Sequence, residues 1–137
     1  MAETDPELIQ NIKQRLEIIE ANVTFAAEKT NRVFSDVLIL AVSKRQPVSV
    51  IEAAYACGLR SFGENYAEEA HEKIKQLSYL PDIRWEMVGH VQSRKAALVA
   101  ANFSRIHSLD SLKLARKLDS AWAGQGSTQP LDVMLEL

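Results

Sequence analysis

Short apolar runs alternate with longer amphipathic segments through most of this chain, and this alternation constrains its fold more than any other feature. Five runs have the length and composition of strands, and they recur at intervals of roughly 20 to 27 residues. These predicted strands are residues 37–42, 61–63, 83–88, 105–107 and 131–135. Helical patterns separate them, at residues 47–57, 66–77, 94–101 and 111–122. Such repetition of strand and helix is typical of α/β proteins with a parallel sheet.

The first predicted strand is the most apolar of the five. Residues 37–42 are continuously apolar, which favours a strand covered on both faces over one with a solvated side. Lys44 follows almost directly, Pro47 has the character of a first helical residue, and Gly58 is placed as a left-handed helix stop. The pattern therefore predicts a complete strand-helix unit with Lys44 at the carboxyl end of a buried strand.

A long amphipathic helix is predicted before the first strand, over about residues 4–31. Residues 4–7 have the form of a capping box, with Thr4 as its first residue and Pro6 just inside the helix. Apolar residues then recur at helical spacing: Leu8, Ile12, Leu16, Ile19 and Val23. With 137 residues, of which 47% are hydrophobic and 25% charged, residues 1–137 are expected to form one globular domain.

The alternation is compatible with two architectures, an open doubly wound sheet or a closed barrel, and the pattern alone does not choose between them. A complete eight-unit barrel usually needs about 250 residues, and the sequence stops at Leu137 within the fifth strand-like run. We therefore expect the chain to be the first part of a longer fold. Five strands without their remaining neighbours would leave two exposed sheet edges, through which the chain is expected to associate with another chain.

Composition excludes several classes of function. A net charge of −2 without a basic stripe argues against nucleic-acid binding, and charged residues interrupt every apolar run before it could span a membrane. The single cysteine, Cys57, and the absence of a signal-like N-terminus favour a cytoplasmic protein. The three histidines are singly spaced, so no metal site is predicted.

The residues that follow each strand are the candidates for chemistry, because functional groups in parallel α/β folds gather at the carboxyl ends of strands. Lys44 follows the first strand, Asn65 the second, His90 the third, and His107 with Ser108 the fourth. If these ends share one rim, they place an amine, an amide, imidazoles and a hydroxyl around a common pocket.

Lys44 has the sharpest chemical interpretation of this group. A lysine leaving a buried apolar strand loses hydration, which favours its neutral, nucleophilic form, and such an amine forms a Schiff base with an aldehyde. Position alone favours a solvated lysine that merely begins a loop.

The other strand-end residues also have structural alternatives. His90 would hydrogen-bond a loop backbone, and His107 would be a partly buried strand residue. Asn65 would cap the helix that follows the second strand. Ser108 or Asp110 would cap the helix that follows the fourth strand, for which the helical pattern itself predicts Asp110 or Ser111 as the cap.

Sequence strings around the strand ends together resemble the YggS/PROSC family of pyridoxal-phosphate homeostasis proteins. The strings are AVSK at 41–44, FGENY at 62–66, RW at 84–85, GHVQSRK at 89–95 and HSLDS at 107–111. The resemblance extends from about residue 37 to Leu137, and the opening helix also has a family counterpart. It implies a parallel (β/α)8 TIM-type barrel like the N-terminal domain of alanine racemase, of which this chain covers about the first five strands.

The resemblance also implies a cofactor and its site. The equivalent of Lys44 holds pyridoxal 5'-phosphate (PLP) as an internal aldimine at the end of the first strand, and Asn65, His90 and Ser108 line the same rim as cofactor-binding candidates. Glu64, Arg94 and Lys95 are further candidates at that rim. In the family the cofactor phosphate is held by the last strands and loops, which this sequence lacks, so weak PLP binding by this chain alone is expected.

The function implied is that of a carrier that keeps free PLP low and supplies it, with PLP-dependent apoenzymes as candidate recipients and no residue assigned to catalysis. Two alternatives remain. A fold-type III enzyme, such as a racemase or decarboxylase, would lose amino-acid turnover in the Lys44→Ala variant. A regulatory module that binds a partner through its long N-terminal helix would keep its partner complex in the same variant.

Overall fold

A computed structural model describes residues 5–137 of the chain, which form two compact units. The first unit lies within residues 5–40 and 46–59 and contains two helices in contact with each other, α1 (Pro6–Glu28) and α2 (Val48–Ala56). Gly58 adopts a φ of 99° just after α2, which confirms the predicted left-handed helix stop.

Helix α1 begins with a side-chain cap. The carboxylate of Asp5 accepts a hydrogen bond from the backbone N–H of Glu7 at 2.9 Å, and Pro6 occupies the first helical position, where its missing N–H costs nothing. Thr4, the first residue of the predicted capping box, lies outside the described residues. The helix ends at Glu28, before the predicted limit near residue 31, because Asn31 takes a left-handed φ of 55°.

The second unit, residues 41–45 and 60–137, contains a sheet of five parallel strands. The strands are β1 (Ala41–Val42), β2 (Ser61–Glu64), β3 (Arg84–Met87), β4 (Arg105–Leu109) and β5 (Asp132–Leu135). Helices α3 (Ala67–Gln76), α4 (Ala96–Asn102) and α5 (Leu112–Ala123) alternate with them. The unit thus continues the strand-helix alternation that the sequence predicts.

The strands lie in the sheet in chain order, β1-β2-β3-β4-β5, and every neighbouring pair is parallel. A doubly wound sheet reverses its strand order at a switch point, whereas a barrel adds each strand beside the previous one. The uninterrupted order therefore identifies the sheet as part of a barrel and confirms the prediction of a partial (β/α) barrel.

The apolar core of the second unit lies on one face of this sheet. Phe62 of β2, Met87 of β3 and Ile106 of β4 are almost completely buried, and the strand register places Phe62 beside Trp85, with ring centroids 5.9 Å apart. Buried residues of the helices complete the core: Ala70, Val99, Leu114 and Leu118. Each large side chain buried in this way contributes about 1.5–3 kcal/mol.

The first strand differs from its prediction. Only Ala41–Val42 are in strand β1, residues 34–36 form a 3-10 turn, and Leu38 and Val42 are both more than half exposed. The expectation of a strand over residues 37–42 that is buried on both faces is therefore wrong. Within the described sheet β1 is an edge strand that pairs with β2 alone, so continuous apolar composition did not translate into burial.

The ends of the other elements shift by a few residues. The predicted helix at 94–101 begins at Ala96, because Ser93–Lys95 form a 3-10 turn. Strand β4 continues past residue 107 to Leu109. Ser111 is the N-cap of α5, and its hydroxyl accepts a hydrogen bond from the N–H of Leu114 at 3.2 Å, as one of the two predicted caps.

Residues 5–137 contain no candidate membrane-spanning helix and no candidate cluster of metal ligands. No helix there combines the length and apolar character that crossing a membrane requires. No group of three or more histidine, cysteine, aspartate or glutamate side chains comes together there in the way that metal ligands would.

Candidate functional site

Lys44 lies in the turn that follows β1. The N–H of Ser43 donates to the carbonyl of Gly63 at 2.9 Å, and this is the last backbone hydrogen bond to β2 before the turn. Lys44 itself is exposed, so the expectation that a buried strand would desolvate its amine is wrong. Within residues 5–137 its side chain makes no hydrogen bond or ion pair, and the structure thus presents it as an accessible, unpartnered amine.

Arg45, the next residue, has an unusual backbone conformation. Its φ is 59°, a left-handed value that costs a residue with a Cβ about 1–2 kcal/mol. The N–H of Arg45 donates to Oε1 of Glu69 at 2.7 Å, and its guanidinium lies 3.5 Å from the hydroxyl oxygen of Tyr66. These contacts hold the turn in a conformation that Arg45 would not favour by itself.

A buried polar network lies beside this turn. Glu64, at the end of β2, is fully buried, and its Oε1 accepts from the hydroxyl of Ser43 at 2.6 Å and from Nζ of Lys73 at 2.8 Å. Nζ of Lys73 also donates to the carbonyl of Ser43 at 2.8 Å and lies 2.7 Å from Oε1 of Glu69. One buried ammonium therefore joins the end of β2, the turn and helix α3.

The two lysines of this region have opposite surroundings. The ammonium of Lys73 has three donors, and three oxygen atoms receive them, whereas Lys44 is exposed and has no partner in the described part of the chain. A fully bonded ammonium is poorly placed to react, because it must first give up its partners. Lys44 is therefore the accessible amine of this region.

Glu69 is the carboxylate that connects helix α3 to the turn. It lies one helical turn before Lys73, and the hydrogen bond from Lys73 lowers the pKa of Glu69 below the ordinary value of 4.5, although burial acts in the opposite direction. The N–H of Arg45 lowers this pKa further. The ionised form of Glu69 is thus the form that the folded turn stabilises.

Asn65 and His90 line a common cleft of about 360 Å³, between the loop that follows β2 and the loop that follows β3. Lys44 and Ser108 are not among the residues that line it. The structure thus brings Asn65 and His90 together at one rim. It places Lys44 at the neighbouring strand end, where the preceding residue, Ser43, binds Glu64 of β2.

Gly89 allows the two strand ends beside this cleft to approach each other closely. A Cβ atom at position 89 would lie 2.3 Å from the backbone oxygen of Asn65 and 2.6 Å from its Cα, distances that no side-chain carbon tolerates. Glycine is therefore required at this position by the backbone of Asn65, which lies against it.

The remaining strand-end residues make specific contacts. His90 is largely exposed, and its Nδ1 lies 3.2 Å from Oδ2 of Asp110, so the expected bond to a loop backbone is replaced by a side-chain pair. Ser108 is buried, and its hydroxyl donates to the carbonyl of Gly89 at 2.6 Å. The alternative in which Ser108 or Asp110 caps the helix that follows β4 is wrong, because Ser111 is the N-cap of that helix, α5.

His107 belongs to a separate polar cluster on the opposite face of the sheet. Its Nε2 lies 2.6 Å from Oε2 of Glu86, which is almost fully buried on β3. Arg105 lies 3.8 Å from the same oxygen and pairs with Asp132 of β5 at 3.0 Å. The prediction that His107 is a partly buried strand residue is confirmed. Ion pairs of this cluster connect β4 to both of its neighbours, β3 and β5.

Comparison with curated proteins finds relatives that share one description. No family model matches the chain. The pyridoxal phosphate homeostasis protein of Mus musculus is 41% identical over 104 residues, which are 72% of this chain and 38% of that protein. That of Vibrio alginolyticus is 34% identical over 132 residues, 94% of this chain and 56% of its own length. The chain thus spans about half the length of such relatives, or less.

Comparison with solved structures finds the same likeness in three dimensions. PipY of Synechococcus elongatus, solved without PLP, has a TM-score of 0.74 and 32% identity, over 91% of this chain and 59% of PipY. The structure of PipY with PLP bound has a TM-score of 0.70 and 33% identity, over 91% and 58%. A protein from Bifidobacterium adolescentis, 22% identical with a TM-score of 0.77, shares the fold.

Proposed function

We propose that this chain, which belongs to the family of pyridoxal phosphate homeostasis proteins, binds PLP as a reversible Schiff base on Lys44. In this proposal it serves PLP homeostasis in the cytoplasm and has no catalytic reaction of its own. The observation that carries the proposal is the Lys44 amine, which is exposed at the carboxyl end of β1 and free of partners within the described residues. The PLP-bound structure of the similar protein PipY supports the choice of cofactor.

The residues of the turn fit the aldehyde end of this cofactor. When bound, PLP supplies an aldehyde carbon that an amine attacks reversibly, with loss of water. Lys44 provides that amine on a turn whose backbone is held by Glu69 and Lys73, while Glu64 binds the hydroxyl of Ser43 and the ammonium of Lys73. Because the turn is exposed, water reaches the amine and can reverse the bond. This suits a carrier, which must release what it holds.

Asn65, His90 and Ser108 have supporting roles in this proposal. Asn65 and His90 line the cleft at the adjacent rim, where an amide and an imidazole can contact polar groups of a ligand. Ser108 acts from behind, because its hydroxyl holds the carbonyl of Gly89 and thereby the backbone that precedes His90. The phosphate contacts are proposed to come from the part of the relatives that this chain does not span.

The absence of catalysis is part of the proposal and separates it from the fold-type III alternative. A racemase or decarboxylase needs an acid or base beside the reacting carbon. Two carboxylates contact the residues on either side of Lys44, and both are already engaged: Glu64 binds the hydroxyl of Ser43 and Lys73, and Glu69 binds the N–H of Arg45 and Lys73. Incubation of the PLP-loaded protein with amino acids is therefore expected to yield no racemised or decarboxylated product.

Absorbance spectroscopy tests the binding proposal directly. PLP added to the chain is expected to give a visible band that disappears in the Lys44→Ala variant and persists in Lys75→Ala, a control that removes an exposed lysine of α3. Loaded protein mixed with a PLP-dependent apoenzyme is expected to restore the activity of that enzyme. A band that survives in Lys44→Ala would refute the proposal.

A further inference from the structure

We infer that Glu69 and Lys73 of helix α3 are positioning residues for Lys44, which they serve by fixing the two peptide groups on either side of its Cα atom. The inference rests on the proposed function, because it concerns the presentation of the same amine. Neither residue is a candidate for the bond with the cofactor, and both act through the backbone of the turn.

The contacts on the two sides of Lys44 come from one helix. Nζ of Lys73 donates to the carbonyl of Ser43, which belongs to the peptide group before Lys44, at 2.8 Å. Oε1 of Glu69 accepts from the N–H of Arg45, which belongs to the peptide group after Lys44, at 2.7 Å. The orientations of these two groups define φ and ψ of Lys44. Helix α3 therefore sets the direction in which the Lys44 side chain leaves the backbone.

Strand β1 is too short to set this direction itself. It pairs with β2 at Ala41 and Val42, and its last backbone contact before the turn is the N–H of Ser43. Lys44 lies beyond that contact, and Arg45 is held at a φ of 59°. A left-handed residue persists only where its surroundings stabilise it, and Glu69 provides that stabilisation.

The network is anchored on its other side to β2. Glu64 is completely buried at the end of that strand and binds both the hydroxyl of Ser43 and the ammonium of Lys73. Lys73 in turn lies 2.7 Å from Glu69, one helical turn away on α3. A lysine on a fixed backbone loses less conformational freedom when its amine is captured, so the network speeds the reaction of Lys44 with an aldehyde.

Substitution of Glu69 tests the inference without leaving a buried charge unpaired, because Lys73 keeps Glu64. We expect Glu69→Ala to raise the hydrogen-exchange rate of the Arg45 amide about tenfold, as loss of one charge-assisted hydrogen bond would, and to slow formation of the PLP adduct on Lys44. Glu69→Gln keeps an oxygen acceptor and should recover most of both losses. Glu72→Ala is the matched control, because Glu72 pairs with Lys75 on the exposed side of the same helix.

Each outcome decides the inference. Equal Arg45 exchange and equal Lys44 adduct rates in Glu69→Ala and Glu72→Ala would overturn it. A Glu69→Gln variant as slow as Glu69→Ala would also overturn it, because the effect would then follow charge and not the hydrogen bond. If the wild-type chain forms no PLP adduct even with PLP in large excess, the proposed function fails. Arg45 exchange and the acetylation rate of Lys44 by acetic anhydride then decide the positioning role independently.

Discussion

At the scale of single residues, Lys44 and Lys73 carry the same amine but differ in their hydrogen-bond partners, and this difference gives them different roles. Lys73 is buried and gives all three donors to oxygen atoms, so its charge holds structure together. Lys44 is exposed and unpartnered among residues 5–137, so its amine remains available. The network therefore leaves Lys44 as the accessible amine of this region.

Removal of the Lys73 amine should destabilise the protein strongly. In Lys73→Met the carboxylate of Glu64 would stay buried without its cation, a change that typically costs about 3–5 kcal/mol. Urea denaturation should show this loss, whereas Lys75→Met, at a residue that is 59% exposed, should change the free energy of unfolding by less than about 0.5 kcal/mol. A loss below about 1 kcal/mol in Lys73→Met would contradict the buried network.

Glu69 predicts a pH dependence of stability with a definite sign. Its pKa in the folded protein lies below 4.5, because Lys73 and the N–H of Arg45 bind its ionised form. The unfolded chain therefore takes up the proton first as pH falls, and the stabilisation is complete above about pH 4.5 and lost as pH drops through the folded pKa. The stability advantage of wild type over Glu69→Gln should shrink over that range. An advantage that grows on acidification would be incompatible with this sign.

The strand-end rule predicted part of the arrangement of the candidate site, because Asn65 and His90 line one cleft. It placed Lys44, Asn65, His90 and Ser108 at consecutive strand ends, because that position depends only on the order of elements. It could not find Lys73 as a partner of Ser43, because thirty residues separate them and contact depends on how α3 lies beside β2. The spacing of Glu69 and Lys73 was visible, but a helical pair at this spacing is usually exposed.

At the scale of elements, Gly89 joins the ends of β2 and β3. In Gly89→Ala the new Cβ would meet the backbone oxygen of Asn65 at 2.3 Å, so the two strand ends must separate, at a cost of about 1–3 kcal/mol. Thermal unfolding measures the loss. Gly124→Ala is the control, because its Cβ would lie 3.5 Å from its nearest neighbours. Equal stability of the two variants would show that the strand ends are not in close contact.

The sequence predicted the elements of the sheet better than their burial. Strands β2 to β5 and helices α3 to α5 lie within a few residues of their predicted positions, since periodicity and caps such as Ser111 act locally. The error at β1 has a different origin. Whether residues 37–42 are covered depends on strands and helices that are distant in sequence, and an apolar run carries no information about them.

At the scale of the whole molecule, the described sheet has β1 at one edge and β5 at the other. All four residues of β5 are exposed, and Leu135 is 74% exposed. Association with another chain through these sheet edges remains a prediction. A charge on an edge strand opposes such pairing. Met134→Lys should therefore lower the fraction of dimers or larger species in sedimentation velocity. Unchanged association in that variant would exclude β5 as the contact.

The account depends most on the identity of the lysine that holds PLP. Borohydride reduction of the PLP-treated chain, followed by peptide mass spectrometry, measures the occupancy of every lysine in one experiment. The account predicts that the pyridoxyl group lies predominantly on Lys44, with Lys73 unmodified because its donors are bound. A modification found mainly on another lysine, such as Lys95 beside the cleft, would contradict it.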